Sequence, residues 1–134
     1  GADTNVSNLK NTYAEVRLWS YGSGRFDTTG MQFCGLIMGD HAKSGINTMF
    51  NTGTVVGVGA NIFGAGYPRN FIPSFAWGGA HGYQTFGFEK MIETAEAVVQ
   101  RRGKSLTPEE IIILRHIFEE SAAYRTWEKG SKAD

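Results

Sequence analysis

The sequence has a single cysteine, Cys34, only three prolines, and no excess of charge of either sign. One cysteine excludes an internal disulfide framework and is ordinary for a reducing cytosol, so a cytoplasmic protein is expected. Thirteen basic residues balance thirteen acidic ones, which leaves no field to gather a phosphate backbone or an anionic lipid surface. Nucleic acid and membrane are therefore not expected partners. No apolar run approaches the roughly 18 residues of a membrane span, and no charged-then-apolar leader is visible. What is present is ample core material: 134 residues, 41% hydrophobic and 13% aromatic, enough for one domain or one domain with an appendage. The opening Gly1-Ala2-Asp3-Thr4 reads as though cut from something longer, so a fragment is expected.

Composition divides the chain. Residues 1–79 are rich in Gly, Asn, Thr and aromatics, whereas residues 80–134 turn into helix formers after a glycine-rich link. Phe88, Met91, Ile92, Ala95, Val98 and Val99 recur at helical spacing, with Gly103 placed as a stop. A second helix begins at Thr107 as N-cap, with Pro108 in the first helical position and Glu110 completing a capping box. Its apolar set is Ile111, Leu114, Ile117, Phe118 and Ala122, with Tyr124 and Trp127 near its end. Both stripes read as core-facing, and the two helices as a cap.

Between them lies "MGDHAKSGINTMFNTGTVVGVGAN", residues 38–61, too apolar for a loop and too glycine-rich for a helix. Cut into sixes, its first places hold Met38, Ser44, Phe50 and Val56, continuing at Ile62, and its fifth places hold Ala42, Thr48, Thr54 and Ala60. A six-residue period with a filling residue, a small residue and glycine or asparagine corners is the pattern of hexapeptide-repeat coils. The expected fold is accordingly mainly β: a left-handed parallel β-helix over residues 1–79, with an inserted excursion at about 12–30, and a C-terminal pair of α-helices over 80–134. Four hexads make little more than one coil, so upstream coils, neighbouring subunits and the helical cap are expected to complete it.

"SNLKN" at 7–11, the excursion "YAEVRLWSYGSGRFDTTG", and then "GLIMGDHAKSGINTMFNTGTVVG" resemble the C-terminal region of sugar-1-phosphate nucleotidyltransferases. The nearest likeness is to the bifunctional UDP-N-acetylglucosamine pyrophosphorylase / glucosamine-1-phosphate N-acetyltransferase group, in its alternative bacterial branch. The resemblance implies a homotrimer that handles sugar phosphate and CoA, with acetyl-CoA lying between adjacent subunits. It also implies a nucleotidyltransferase domain, absent from this chain, that uses Mg. The expected activity is acetyl transfer from acetyl-CoA to glucosamine-1-phosphate on the route to UDP-N-acetylglucosamine. The alternative is a noncatalytic trimerisation or regulatory domain of a sugar nucleotidyltransferase.

Acetyl transfer needs a base for the attacking amine, donors for the thioester oxyanion, and a narrow groove. Small residues Ser44, Gly45, Thr48, Gly57 and Ala60 suit a thin cofactor lying close to the backbone. Asn8 matches an asparagine that the family uses near the acetyl and sugar site, while Leu9 replaces an aromatic residue of the better-known branch. Lys10, Arg25 and Arg69 are candidate phosphate holders, against the plainer reading of solvated side chains. The family's base is a histidine in a His-Leu-x-Tyr segment that these residues lack, so this chain alone is expected to be inactive. His41, outward at the fourth place of its hexad, is the weak candidate, while His81 and His116 read as structural. Asp40 reads as a turn residue, and "YPRNFIPSFAWGG" at 67–79 as a flap that packs the helices in preference to lining a groove. A zinc carbonic anhydrase would need three histidines in reach; His41, His81 and His116 show no close pair, and no metal site is expected.

Overall fold

The structure, a computed structural model, describes residues 1–131. Its strands are short: β1 Asn5–Val6, β2 Arg17–Ser20, β3 Arg25–Thr28, β4 Leu36–Met38, β5 Lys43–Ser44 and β6 Met49–Phe50 come first. They are followed by β7 Thr54–Val56, β8 Asn61–Ile62, β9 Phe71–Ile72, β10 Ala76–Gly79 and β11 Gly82–Thr85. Helices α1 Phe88–Gln100 and α2 Pro108–Glu120 then lead into two 3-10 turns, Ser121–Tyr124 and Thr126–Ser131. The strands sort into four small sheets, ordered β1-β6, β11-β10-β8-β5, β2-β3 and β4-β7-β9.

This corrects the expected fold. The chain is mixed α/β, and among the described residues the strands form no closed or solenoid β-helix. The six-residue pattern does express itself locally, since Leu36 pairs in parallel with Thr54 and Lys43 with Asn61, each three hexads on. The next pairs, Val55 with Phe71 and Asn61 with Trp77, fall two residues short of that spacing, and the antiparallel hairpins β2-β3 and β10-β11 take up the chain on either side. With so few hexads, repetition ends before a stack of about three repeats can form.

Two cores explain the layout. Phe50, Val56, Ala60, Ile62, Ile72 and Ala76 are buried together among the parallel strands, so the first-place residues Phe50, Val56 and Ile62 point inward, whereas the first-place Met38 is exposed. The second core packs the helices onto the strands: Phe75, Phe86, Phe88, Met91, Ala95 and Leu114 are buried in one cluster. The start of α2 is the capping box, with the Glu110 amide donating to Thr107 Oγ1 at 3.1 Å and the Thr107 amide donating to the Glu110 carboxylate at 2.8 Å. Gly103 adopts a φ of 68° just beyond α1, a conformation that suits glycine at a helix end. The flap folds as β9 and β10, and its Ile72, Phe75 and Ala76 are fully buried. Beyond α2, Ala122, Tyr124 and Trp127 lie in the 3-10 turns. No helix among the described residues is long and apolar enough to cross a membrane.

The excursion folds as the β2-β3 hairpin and docks through aromatic contact. Trp19 stacks on Phe71 with ring centroids 4.2 Å apart, and Tyr124 meets both rings edge-on. Hairpin, sheet and C-terminal turns are thereby joined at one place, and clefts open on either side of that junction.

Candidate functional site: two clefts beside the aromatic junction

The first cleft, about 550 Å³, lies between the sheet β4-β7-β9 and α2. Ile37, Met38, Gly39, Val55, Val56 and Gly57 form one wall, and His116, Ile117, Glu120 and Tyr124 face them. Tyr21 and Ser74 also line it. Burial raises the Tyr21 phenol above its ordinary range, partly opposed by a hydrogen bond with Ser74. A slot with apolar walls and a few polar groups suits a slender, largely apolar ligand with one polar end. His116 and Glu120, four residues apart on α2, bring an imidazole and a carboxylate to one helix face.

The candidate residues are distributed unevenly around this cleft. Gly57 lines it, but its backbone is packed shut against the next strand: a Cβ there would stand 2.3 Å from the Ser74 nitrogen. Ala60 is fully buried in the strand core. Gly45 sits against Phe63, 3.0 Å from where a Cβ would reach, and its carbonyl accepts from Thr48 Oγ1 at 2.9 Å. Ser44 Oγ shares a hydrogen bond of 2.9 Å with Thr4 Oγ1. Within this chain these four small residues do not form a continuous groove for the pantetheine arm of acetyl-CoA, because adjacent strands fill the space; the apolar cleft has the room that they lack.

His41 lies apart, in a left-handed backbone conformation with φ 60°, and lines a smaller cleft of about 180 Å³ with Asp40, Glu110 and Ile113. Its carbonyl accepts from Lys43 Nζ at 3.2 Å. The Asp40 carbonyl accepts the Gly59 amide at 2.9 Å, a turn role. Asn8 is exposed, and its carbonyl accepts the Cys34 amide at 3.0 Å. Lys10 and Arg25 are brought together with Arg17 around a shallow depression beside the hairpin. Lys10 Nζ donates to the Glu15 carbonyl and Arg25 pairs with Asp27 at 3.0 Å.

Arg69 belongs to the second cleft, about 600 Å³, on the other side of the junction. Trp19, Phe71, Tyr83, Tyr124 and Trp127 supply aromatic faces, and His81 lines it as well. The Tyr83 phenol is pushed up to about 12 by burial, with the Arg69 charge pulling the other way. Two buried polar atoms there, Trp19 Nε1 and Tyr83 Oη, have no hydrogen-bond partner among the described residues. Leaving such a group unpaired costs about 1–3 kcal/mol.

The wall of this cleft is braced by Arg125, whose side chain is almost wholly buried. It donates to Glu128 at 2.7 Å, to Ser121 Oγ at 2.8 Å and to the Phe118 carbonyl at 3.1 Å. Glu128 also accepts from Thr85, and Thr85 accepts from Trp127 Nε1 at 2.9 Å. Burial pushes the Glu128 carboxyl upward, but its bonds with Thr85 and Arg125 outweigh that and hold it below the ordinary range.

Sequence reasoning missed Tyr21, Trp19, Tyr83 and Tyr124 as cleft residues, because they come from segments far apart in the chain and carry no local spacing. It treated His116 as structural, whereas the structure sets it on a cleft wall. Among the described residues, no group of three or more His, Cys, Asp or Glu is placed to hold a metal ion; His41, His81 and His116 line three different clefts. In comparisons with known proteins, no family model matches the chain and no curated protein matches it significantly.

Proposed function

We propose that this chain is the acetyltransferase-type C-terminal domain of a sugar-1-phosphate nucleotidyltransferase, a cytoplasmic homotrimer that transfers acetyl from acetyl-CoA to glucosamine-1-phosphate. One observation carries the reading. The segment with the family resemblance, "GLIMGDHAKSGINTMFNTGTVVG", supplies Ile37, Met38, Gly39, Val55, Val56 and Gly57, a whole wall of the apolar cleft. Motif and cleft coincide.

Acetyl-CoA supplies an activated acetyl group on a thin arm that carries two amides, and the cleft has room for such an arm where the small-residue stripe does not. Val55, Val56 and Gly57 would exclude water along it, while Tyr21 and Ser74 provide hydroxyls. The cations Lys10, Arg17 and Arg25 line a separate depression that shares no residue with the apolar cleft, and Arg25 is already paired with Asp27. No base is assigned within this chain, in keeping with the missing His-Leu-x-Tyr segment, so the isolated chain is proposed to be inactive and the site to be completed in the parent protein. The test is acetyl-CoA titration of the full-length protein with an assay of glucosamine-1-phosphate acetylation. Saturable binding and N-acetyl product are expected; absence of both removes the transferase reading.

A second reading, the noncatalytic trimerisation domain, is favoured by the packing at Gly57 and Ala60, where chain fills the space that a cofactor groove would occupy. Deleting these residues from the parent separates the two readings. Under the scaffold reading uridylyl transfer persists at reduced oligomeric order, and no acetylation exists to be lost.

A further inference from the structure

We propose that the tip of the β2-β3 hairpin, residues 19–27, is a lid that exchanges between the docked position of the structure and an undocked one, and that its departure opens the apolar cleft. The inference holds whichever ligand the cleft takes, so it does not rest on the acetyl-transfer reading. Tyr21 is what the tip contributes to that cleft, alongside Met38 and Ile117. It is 49% exposed, so it stands at the rim, where a lid must act.

The base of the hairpin is fixed and its tip is not. Val16 is fully buried; its amide donates to the Met31 carbonyl at 2.8 Å, and its carbonyl accepts from the Thr29 amide at 3.1 Å and from Thr29 Oγ1 at 2.8 Å. Gly53 closes on the same place, where a Cβ would stand 2.7 Å from both the Arg17 carbonyl oxygen and Val16 Cγ1. Further out this grip ends. Among the described residues, the backbone hydrogen bonds of 19–27 run within the hairpin, and so do the side-chain bonds of Ser23 and Arg25, both to Asp27. The tip meets the body through the Tyr21 bond with Ser74 and through rings. Trp19 and Tyr21 lie 4.2 and 5.7 Å from Phe71, and 5.9 and 5.5 Å from Tyr124. None of these four side chains is fully buried. Docking also leaves Trp19 Nε1 buried without a partner among the described residues, a donor that water would satisfy once the ring lifts off. Ring attraction is therefore opposed by a desolvated indole, in a two-stranded hairpin that is marginal by itself. That balance puts the tip at the low-stability end of the molecule, from which lids are drawn.

The test labels the 134-residue chain with 5-fluorotryptophan and with 13C-methyl methionine and measures NMR relaxation dispersion, which reads exchange on the microsecond-to-millisecond scale. Trp19→Phe and Met38→Leu assign the two reporter resonances. Trp19 should show dispersion or a second resonance, and Met38, in the cleft with Tyr21, should exchange at the same rate. Met91, 1% exposed in the helical core, should show none. Phe71→Leu removes the ring that both Trp19 and Tyr21 touch while keeping an apolar side chain on β9, and should raise the undocked population about tenfold. An unchanged Met91 resonance in that variant shows that the core is intact. A static Trp19 in the wild-type chain overturns the lid, whatever the variant does. Exchange at Trp19 with a static Met38 means that the hairpin moves without opening the cleft, and overturns it too. Exchange shared by Met91 belongs to the whole core, and an unchanged population in Phe71→Leu removes the rings as what holds the tip; either result overturns the proposal.

Discussion

Gly57 packs against Ser74 so closely that a Cβ on the glycine would lie 2.3 Å from the Ser74 nitrogen and 2.5 Å from its Oγ. The same serine hydroxyl accepts the Val58 amide at 2.9 Å, and the Gly57 amide donates to the Ile72 carbonyl at 2.8 Å. Neighbouring strand ends are thus held at a distance that only a residue without a side chain permits. Gly57→Ala should force the strand ends apart and lose about 1–3 kcal/mol, as overpacking of tight sites does. Urea denaturation would read this as a lower midpoint at unchanged slope. An unaltered midpoint would show that this approach is not tight in solution.

The Arg125 network makes a second prediction. Its guanidinium is buried, donates to Glu128, Ser121 and Phe118, and lies 4.4 Å from the centroid of the Phe118 ring. Arg125→Ala removes both packing and donors, and is expected to cost about 2–4 kcal/mol, near the range for breaking a buried pair. Arg125→Lys should recover only part of that, since an ammonium cannot reproduce three directed bonds from a planar fork.

The partner carboxylate adds a pH dependence with a definite sign. Glu128 is held below its ordinary value of 4.5 in the folded chain. A depressed carboxyl contributes stability that is fully present above the unfolded value and is lost as pH falls through the folded one. Stability should therefore decline from about pH 5 downward, and Glu128→Gln should flatten that part of the profile. Thermal melts at stepped pH for both proteins would check it; parallel curves would remove Glu128 as the cause.

How much of this was legible beforehand depends on whether the signal was local. Thr107, Pro108 and Glu110 specify a helix start by short-range hydrogen bonding, and the capping box forms as read. The inward positions Phe50, Val56 and Ile62 were legible because the six-residue period puts them at the first place of each hexad. The β-helix expectation failed for a nonlocal reason. A six-residue period states how one segment folds beside the next, but not how many turns accumulate, and here hairpins and helices take over. The clefts were the least legible, since Trp19, Phe71, Tyr83 and Tyr124 meet only through tertiary packing. Arg69 was singled out for its charge, yet the aromatic slot around it has no signature in the sequence.

The capping box gives a prediction that isolates one helix end. Thr107→Ala removes the side-chain oxygen that accepts the Glu110 amide at 3.1 Å, and should destabilise the chain by about 1 kcal/mol. Thr107→Ser should retain most of the stability, because a serine hydroxyl caps equally well. Chemical denaturation of the pair distinguishes a lost cap from lost threonine packing: the two variants diverge in the first case and agree in the second.

Tyr83 offers a test at the opposite end of the pH scale. Burial raises its phenol from 10.0 to about 12, despite the nearby Arg69 charge. In the unfolded chain the phenol ionises near its ordinary value, while in the folded chain it stays neutral for longer. A raised folded value means that its contribution is fully present below pH 10 and is lost as pH rises toward 12. Absorbance at the phenolate band should therefore show a latest-titrating tyrosine, beyond Tyr21, whose phenol burial also raises, and that latest step should disappear in Tyr83→Phe. The same substitution should reduce the alkaline loss of stability, and Arg69→Gln should push the late titration higher still by removing the charge that favours phenolate. A tyrosine that titrates with the exposed ones would mean that the cleft is open to water around the Tyr83 hydroxyl.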